Sequence, residues 1–255
     1  MKNRLYTALS ERILLLDGGF GTMMQQNGFT EADYRSTRFA DHPTPLKGCG
    51  DLLSLTQPEA VEAIHEKYLA AGADIITSNS FNANAISLRD YALEGYAEEI
   101  ARAATSIARR AADRYTARNP QKPRFVAGSV GPTNRTLSLS AEVENPAARE
   151  LSFAELVAAY TEQIRGLVAG GADIILIETV FDTLNAKAAL YAVEEASCTL
   201  PVMVSGTLAD RSGRTLSGQT VEAFCASLTH APLLSIGLNC AFGAHDLRQI
   251  GRAHV

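Results

Sequence analysis

The sequence contains neither two adjacent cysteines nor a Cys-x-x-Cys motif, and its four cysteines are irregularly spaced: Cys49, Cys198, Cys225 and Cys240. This pattern is not the disulfide framework of a small secreted domain, so we expect reduced thiols. No apolar run reaches the roughly 18 residues that a membrane-spanning helix needs. The N-terminus also lacks the apolar core and cleavage site of a signal peptide. We therefore expect a cytoplasmic protein with no membrane partner.

The sequence also lacks an excess of basic residues. Its 23 Lys and Arg against 28 Asp and Glu give a net charge of −5, without a basic stripe. Because contact with a phosphate backbone requires such a stripe, we do not expect nucleic acid as a partner. A composition of 46% hydrophobic and 20% charged residues is typical of a globular protein that buries a large core.

What the chain does contain is an alternation of strand-like and helix-like segments. The apolar runs have two apolar faces, as in a parallel sheet covered by helices. These runs are Ile13–Leu16, Ile75–Thr77, Phe125–Ala127, Ile174–Ile177, Val202–Val204 and Leu233–Leu238. Between them, helical spacing predicts helices over Pro58–Ala71, about 94–118, from Ser152 onward, about 183–196 and about 220–229. Capping boxes are predicted for two of them, Thr56 with Glu59 and Ser152 with Glu155.

A short internal repeat indicates that these units are equivalent. Gly-Ala-Asp-Ile-Ile occurs at 72–76 and at 171–175, each time where a helix ends and a strand begins. After the first apolar run stands Asp-Gly-Gly-Phe-Gly-Thr, rather than the Gly-x-Gly-x-x-Gly of an open dinucleotide-binding sheet. The pattern therefore favours an α/β fold of the (β/α)8 TIM-barrel family, with about six of the eight units present.

In such a barrel the active site is built at the carboxyl ends of the strands. Asp17 and Glu178 each follow an apolar run, and their carboxylates would converge on one mouth suited to a small polar molecule with an amine. The polar and glycine residues collected in this way, as candidates for substrate binding, are Asp17, Gly18, Gly19, Asn79, Glu178, Ser205 and Asn239. Cys240 ends the last apolar run, a position that suggests a metal ligand. No residue is assigned a catalytic role on this basis.

The motifs at these strand ends resemble those of the homocysteine-binding domain of cobalamin-dependent methionine synthase, a member of the homocysteine S-methyltransferase family. The resemblance runs from about Glu11 to Gln249, and its segments are Leu16–Met23, Thr77–Phe81, Gly131–Thr136, Ile177–Lys187 and Gly237–Cys240.

The resemblance implies a barrel that holds homocysteine and zinc, and a methyl transfer from methylcobalamin that yields methionine. It also implies folate and cobalamin modules on the same parent polypeptide. The family's zinc is bound by a cysteine that Cys240 matches and by an adjacent cysteine pair, which this sequence lacks. We therefore interpret 1–255 as a C-terminally incomplete homocysteine-binding domain that is inactive alone, and 250–255 as a non-native tail.

Two alternatives stay open. The first is a non-catalytic fragment. The second is a barrel lyase or aldolase, which would need a lysine at a strand end for Schiff-base chemistry or a glycine-rich phosphate loop. No lysine lies at the six predicted strand ends, and Lys187 falls within a predicted helix.

Overall fold

The structure is a computed structural model that describes residues 2–140, 142, 144–243 and 245–247, so the predicted tail at 250–255 lies outside the described residues. Its α-helices are α1 (Lys2–Glu11), α2 (Phe20–Gln25), α3 (Glu31–Arg35), α4 (Leu53–Thr56), α5 (Pro58–Ala71), α6 (Ala85–Leu88), α7 (Ala97–Arg118), α8 (Phe153–Ala169), α9 (Thr183–Glu195) and α10 (Val221–Leu228). Its strands are β1 (Ile75–Thr77), β2 (Phe125–Val130), β3 (Ile174–Val180), β4 (Val202–Gly206) and β5 (Leu233–Leu238).

The five strands form one parallel sheet in the order β1-β2-β3-β4-β5, which is also their order in the chain. Helices α7, α8, α9 and α10 occupy the successive connections between them. Parallel neighbours joined by helices are the repeating unit of a βα barrel. The predicted α/β class is confirmed, and the arrangement is that of a partial TIM-barrel-like sheet.

The first predicted strand, Ile13–Leu16, is not a strand of this sheet. The segment makes one parallel bridge, Leu16 to Ile75, and the Ile75 amide donates to the Leu15 carbonyl at 3.0 Å. Ile13 is 85% exposed, so little apolar packing holds the segment in an extended ladder. The expectation of six paired strands, one for each apolar run, was therefore wrong, because the sheet has five strands. Within the described residues, β5 pairs only with β4.

Alternation along the strands separates two apolar layers. On β3, Ile175 and Ile177 pack in the larger core with the helices, whereas Ile174 and Leu176 belong to a second cluster on the inner face. The period of two places Glu178 on that inner face as well. The inner face is thus apolar near the amino ends of the strands and polar near their carboxyl ends.

Helix α1, which the sequence patterns did not reveal, closes the apolar end of the inner face. Its Leu5 and Ala8 are buried in the cluster that contains Ile174 and Leu176. The three-residue spacing of Leu5 and Ala8 was the available signal. Among the helices of the described residues, none combines the length and apolar character needed to cross a bilayer.

The repeated Gly-Ala-Asp-Ile-Ile segments form the same contacts in both copies. The Asp74 carboxylate accepts the Leu15 amide at 3.0 Å and an Arg12 guanidinium N–H at 2.7 Å. The Asp173 carboxylate accepts the Val126 amide at 2.9 Å and an Arg109 guanidinium N–H at 2.6 Å. In each copy the aspartate therefore ties the start of its strand to the preceding extended segment.

One of the two predicted capping boxes is confirmed. Ser152 and Glu155 form a reciprocal box at the start of α8. The box predicted for α5 was wrong, because Thr56 is the last residue of α4 and its hydroxyl lies 3.5 Å from the Leu52 carbonyl. Gln57 occupies the N-cap position of α5, with no side-chain capping bond.

The remaining predicted helices differ from the structure only at their ends. The segment predicted at 94–118 divides into a 3-10 turn at Glu94–Tyr96 and helix α7, while α9 and α10 end one residue before their predicted limits.

Candidate functional site

A cavity of about 810 Å³ opens at the carboxyl ends of the strands. The structure brings together around it all the site residues that the sequence predicted: Asp17, Gly18, Gly19, Asn79, Glu178, Ser205, Asn239 and Cys240. No lysine or arginine is among the described residues that line it. The cavity thus has acidic, amide, hydroxyl and thiol groups but no cation of its own.

Asp17 lies just after the segment that bridges to β1. Its carboxylate accepts the backbone N–H of Thr77 at 2.8 Å and the Thr77 hydroxyl at 3.0 Å. Burial raises the pKa of Asp17 to about 7, the bonds from Thr77 lower it, and the charge of Glu178 raises it again. Asp17 is therefore a carboxylate whose ionised form is short of compensating positive charge.

Glu178 reaches the same cavity from the end of β3. The Ser129 hydroxyl donates to its carboxylate at 2.5 Å. Burial raises the pKa of the Glu178 carboxyl, and the bond from Ser129 acts in the opposite direction. Two desolvated carboxylates that repel each other favour a cationic ligand between them, because such a ligand stabilises both charges at once.

A glycine turn, Gly18-Gly19, connects Asp17 to α2. The Tyr68 hydroxyl on α5 donates to the Gly19 carbonyl at 3.1 Å. A Cβ atom on Gly18 would lie 3.2 Å from the Tyr68 ring, which is a tight contact. The turn is thus held from behind by α5, with its backbone facing the cavity.

The cavity is also lined by Asn79, which follows β1, and by residues of the loop around Gly50. The Asn79 side-chain amide donates to the Gly50 carbonyl at 2.9 Å and to the Ser54 hydroxyl at 3.1 Å. Asp51 also lines the cavity, and its carboxylate accepts the Asn82 amide at 2.8 Å. Burial raises the pKa of Asp51 to about 6, although the bond from Asn82 lowers it. Sequence reasoning missed Asp51, because it follows no strand.

Ser205, Asn239 and Cys240 form a connected group at the ends of β4 and β5. The Ser205 hydroxyl donates to the Asn239 side-chain oxygen at 2.7 Å. The Asn239 side-chain nitrogen lies 3.0 Å from the Cys240 sulfur. Cys240 is exposed, so its thiol is open to the cavity.

The described residues do not complete a zinc site. Cys240 is the only described cysteine that lines the cavity; Cys49 is buried, Cys225 lies on α10, and Cys198 lines a separate groove. No group of three His, Cys, Asp or Glu among the described residues is arranged to hold a metal ion. A protein zinc centre takes at least three such ligands, so the donors in the described part of the chain do not fit zinc.

The segment after β2 and the start of α9 are joined by hydrogen bonds outside the cavity. The Asp182 carboxylate accepts the Leu137 and Ser138 amides at 3.1 and 2.8 Å, and the Asn185 side chain accepts the Leu137 amide at 3.0 Å. The Asn185 side chain also donates to the Arg135 carbonyl at 2.9 Å. The segment after β2 is therefore fixed by the start of α9, and its polar residues serve structure rather than the cavity.

The fold and the cavity define a partial α/β barrel with a polar site at the carboxyl ends of its strands. Comparison with known proteins narrows that class. The model of the family described as homocysteine S-methyltransferase matches residues 14–253. The chain belongs to the homocysteine S-methyltransferase family, and methyl transfer to homocysteine is the activity that this membership supports.

Solved structures give the same fold. The metallated form of the homocysteine methyltransferase MmuM from Escherichia coli is similar with a TM-score of 0.74 and 23% identity, over 95% of this chain and 80% of that one. Its oxidised form is similar with a TM-score of 0.71 and 24% identity, over 91% and 75% of the two chains. At these identities the likeness shows the fold alone.

Proposed function

We propose that this chain binds homocysteine through Asp17 and Glu178 and presents the substrate sulfur for methylation. One observation carries the proposal: two desolvated carboxylates face a cavity in which no described residue supplies a cation. The ammonium group of an amino acid supplies the missing charge. The backbone amides of Gly18 and Gly19 are then available to the substrate carboxylate.

The residues at the ends of β4 and β5 suit the thiol end of the substrate. With its ammonium group near Glu178, homocysteine extends its thiol toward the group formed by Ser205, Asn239 and Cys240. Asn79 also lines the cavity in which the substrate would lie. In the reaction the substrate sulfur loses its proton, a sulfur–methyl bond forms, and the bond between the methyl group and its donor breaks.

We propose the finer identity from the sequence motifs. Their resemblance supports a methionine synthase domain spanning 1–255, with methylcobalamin as methyl donor and with folate and cobalamin modules on the same polypeptide. The resemblance assigns Cys240 as one zinc ligand, although the described residues alone do not complete such a site. The four described cysteines form no disulfide bond with one another, which supports the reducing cytoplasm that we propose as the compartment of this protein.

The lyase or aldolase alternative has little support. Schiff-base chemistry needs a lysine at the reacting carbon. Among the described residues that line the cavity there is no lysine, and Lys187 lies on α9 beside a separate surface groove. The non-catalytic alternative predicts weak or absent homocysteine binding, which titration calorimetry tests directly.

Titration calorimetry with homocysteine tests the proposal. Glu178→Gln removes a charge-assisted contact to the substrate ammonium, so the binding free energy should weaken by about 1.5–3 kcal/mol. An analogue with the thiol and carboxylate but no amine should bind weakly to the wild type and be insensitive to this change. Glu194→Gln, at an exposed position on α9, is the matched control. Equal homocysteine affinity in wild type and Glu178→Gln would remove Glu178 from the site.

A further inference from the structure

The Asn239 side chain joins the carboxyl ends of three strands. Its oxygen accepts the Thr179 backbone N–H at 3.0 Å and the Ser205 hydroxyl at 2.7 Å. Its nitrogen donates to the Thr179 hydroxyl at 2.8 Å and to the Cys240 sulfur at 3.0 Å. One carboxamide therefore links residues at the ends of β3 and β4 to its own neighbour at the end of β5.

These four contacts occupy the whole hydrogen-bonding capacity of the side chain. A carboxamide has two acceptor positions on oxygen and two N–H donors. The oxygen of Asn239 already accepts two bonds, and both N–H groups have acceptors. A substrate atom could bind Asn239 only by displacing one of these partners, so the geometry argues against Asn239 as a direct substrate ligand.

The backbone that Asn239 holds is strained. Thr179 has φ of +58°, in the left-handed region that β-branched residues rarely adopt. The β3–β4 register shifts between Ile177 and Val180, so Glu178 and Thr179 form an irregularity in the ladder. Such a conformation costs on the order of 1–3 kcal/mol and persists only where surrounding contacts hold it.

We propose that Asn239 is a positioning residue. Its carboxamide accepts the Thr179 N–H within the ladder irregularity and keeps Thr179 in the left-handed region. The neighbouring Glu178 carboxylate thereby stays in the cavity that Asp17 and Cys240 also line. This inference rests on the proposed homocysteine function, and it assigns Ser205 and Asn239 to the support of the site rather than to contact with substrate.

A double-mutant cycle tests the idea. Glycine adopts positive φ at little cost, so Thr179→Gly removes the strain that Asn239 is proposed to hold. Asn239→Ala should weaken homocysteine binding about tenfold with threonine at 179, the loss expected when a structural hydrogen-bond network is removed. With glycine at 179 the same change should weaken binding threefold or less. Asn79→Ala, which removes another cavity carboxamide, is the matched control and should have equal effects in both backgrounds.

The outcomes separate the possible roles. Equal losses from Asn239→Ala in both backgrounds, or no loss in either, would overturn the inference while leaving the proposed function intact. If Asn239→Ala folds only with glycine at 179, the positioning role is supported directly; failure to fold in both backgrounds counts against it. If the wild type binds no homocysteine, the proposed function fails, and the same cycle in unfolding free energies then decides whether Asn239 holds Thr179.

Discussion

His65 gives a prediction about acid stability that can be worked through from its surroundings. Its side chain on α5 is fully buried, and neither ring nitrogen has a hydrogen-bond partner among the described residues. The ring centroid lies 5.0 Å from that of Phe20, the first residue of α2. Burial lowers the pKa of His65 from 6.5 to about 4, and the charge of Glu62 opposes that shift.

The direction of the pH dependence of stability follows from which state, folded or unfolded, binds the proton more readily. The unfolded chain protonates this imidazole near pH 6.5, whereas the folded protein resists protonation until about pH 4. Stability is therefore lost as pH falls through this window. A shift of this size corresponds to about 3 kcal/mol in total, of which about 2 kcal/mol is lost between pH 7 and pH 5.

Urea denaturation of the wild type and of His65→Leu at pH 7 and pH 5 measures this contribution. Leucine has no unpaired polar atom, so the variant should be more stable at pH 7 by about 1–3 kcal/mol. It should also lack the histidine's share, about 2 kcal/mol, of the loss between the two pH values. His230→Leu, at an exposed position, should behave as the wild type does. If wild type and His65→Leu lose equal stability on acidification, the buried-neutral description of His65 is wrong.

Two further changes test the framework around the cavity. Tyr68→Phe removes the bond to the glycine turn and should weaken homocysteine binding by about two- to tenfold in calorimetry. Tyr115→Phe removes a similar hydroxyl-to-carbonyl hydrogen bond, 3.2 Å long, at a site outside the cavity, and should leave homocysteine binding unchanged. Equal homocysteine affinities in the two variants would refute the role of Tyr68. Gly131→Ala would place a Cβ 2.6 Å from the Phe81 carbonyl oxygen and should destabilise the fold by about 1–3 kcal/mol in urea denaturation. Gly21→Ala meets no atom within 4 Å and is the control; equal stabilities of the two variants would show that the segment around Gly131 yields to the methyl group.

The sequence was most informative where chemistry follows strand periodicity. Asp17, Glu178 and Cys240 each end an apolar run, and parallel topology brings such ends to one mouth. Because that rule depends only on strand order, the presence of these three residues at the cavity could be anticipated from the sequence. Asp51 could not be, since a loop contact with Asn82 places it there.

Local signals failed where neighbouring structure competed for the same residues. Thr56 has the sequence of an N-cap, but α4 extends through it and leaves Gln57 at the cap. The segment Ile13–Leu16 has the composition of a strand, but Ile13 is exposed and the segment forms only a bridge to β1. In both cases the outcome depended on packing that no short window of sequence contains.

The two repeated aspartates have a consequence for how the molecule assembles. Each one reaches back to the segment that precedes its own strand, Asp74 to Leu15 and Asp173 to Val126. Both of these bonds can form before any later part of the chain has been synthesised. A growing sheet on a ribosome could therefore set the register of each of these two strands as it emerges, so that assembly follows the direction of synthesis. In protein design, the same Gly-Ala-Asp-Ile-Ile segment would set the register of an added βα unit without changes to the units already present.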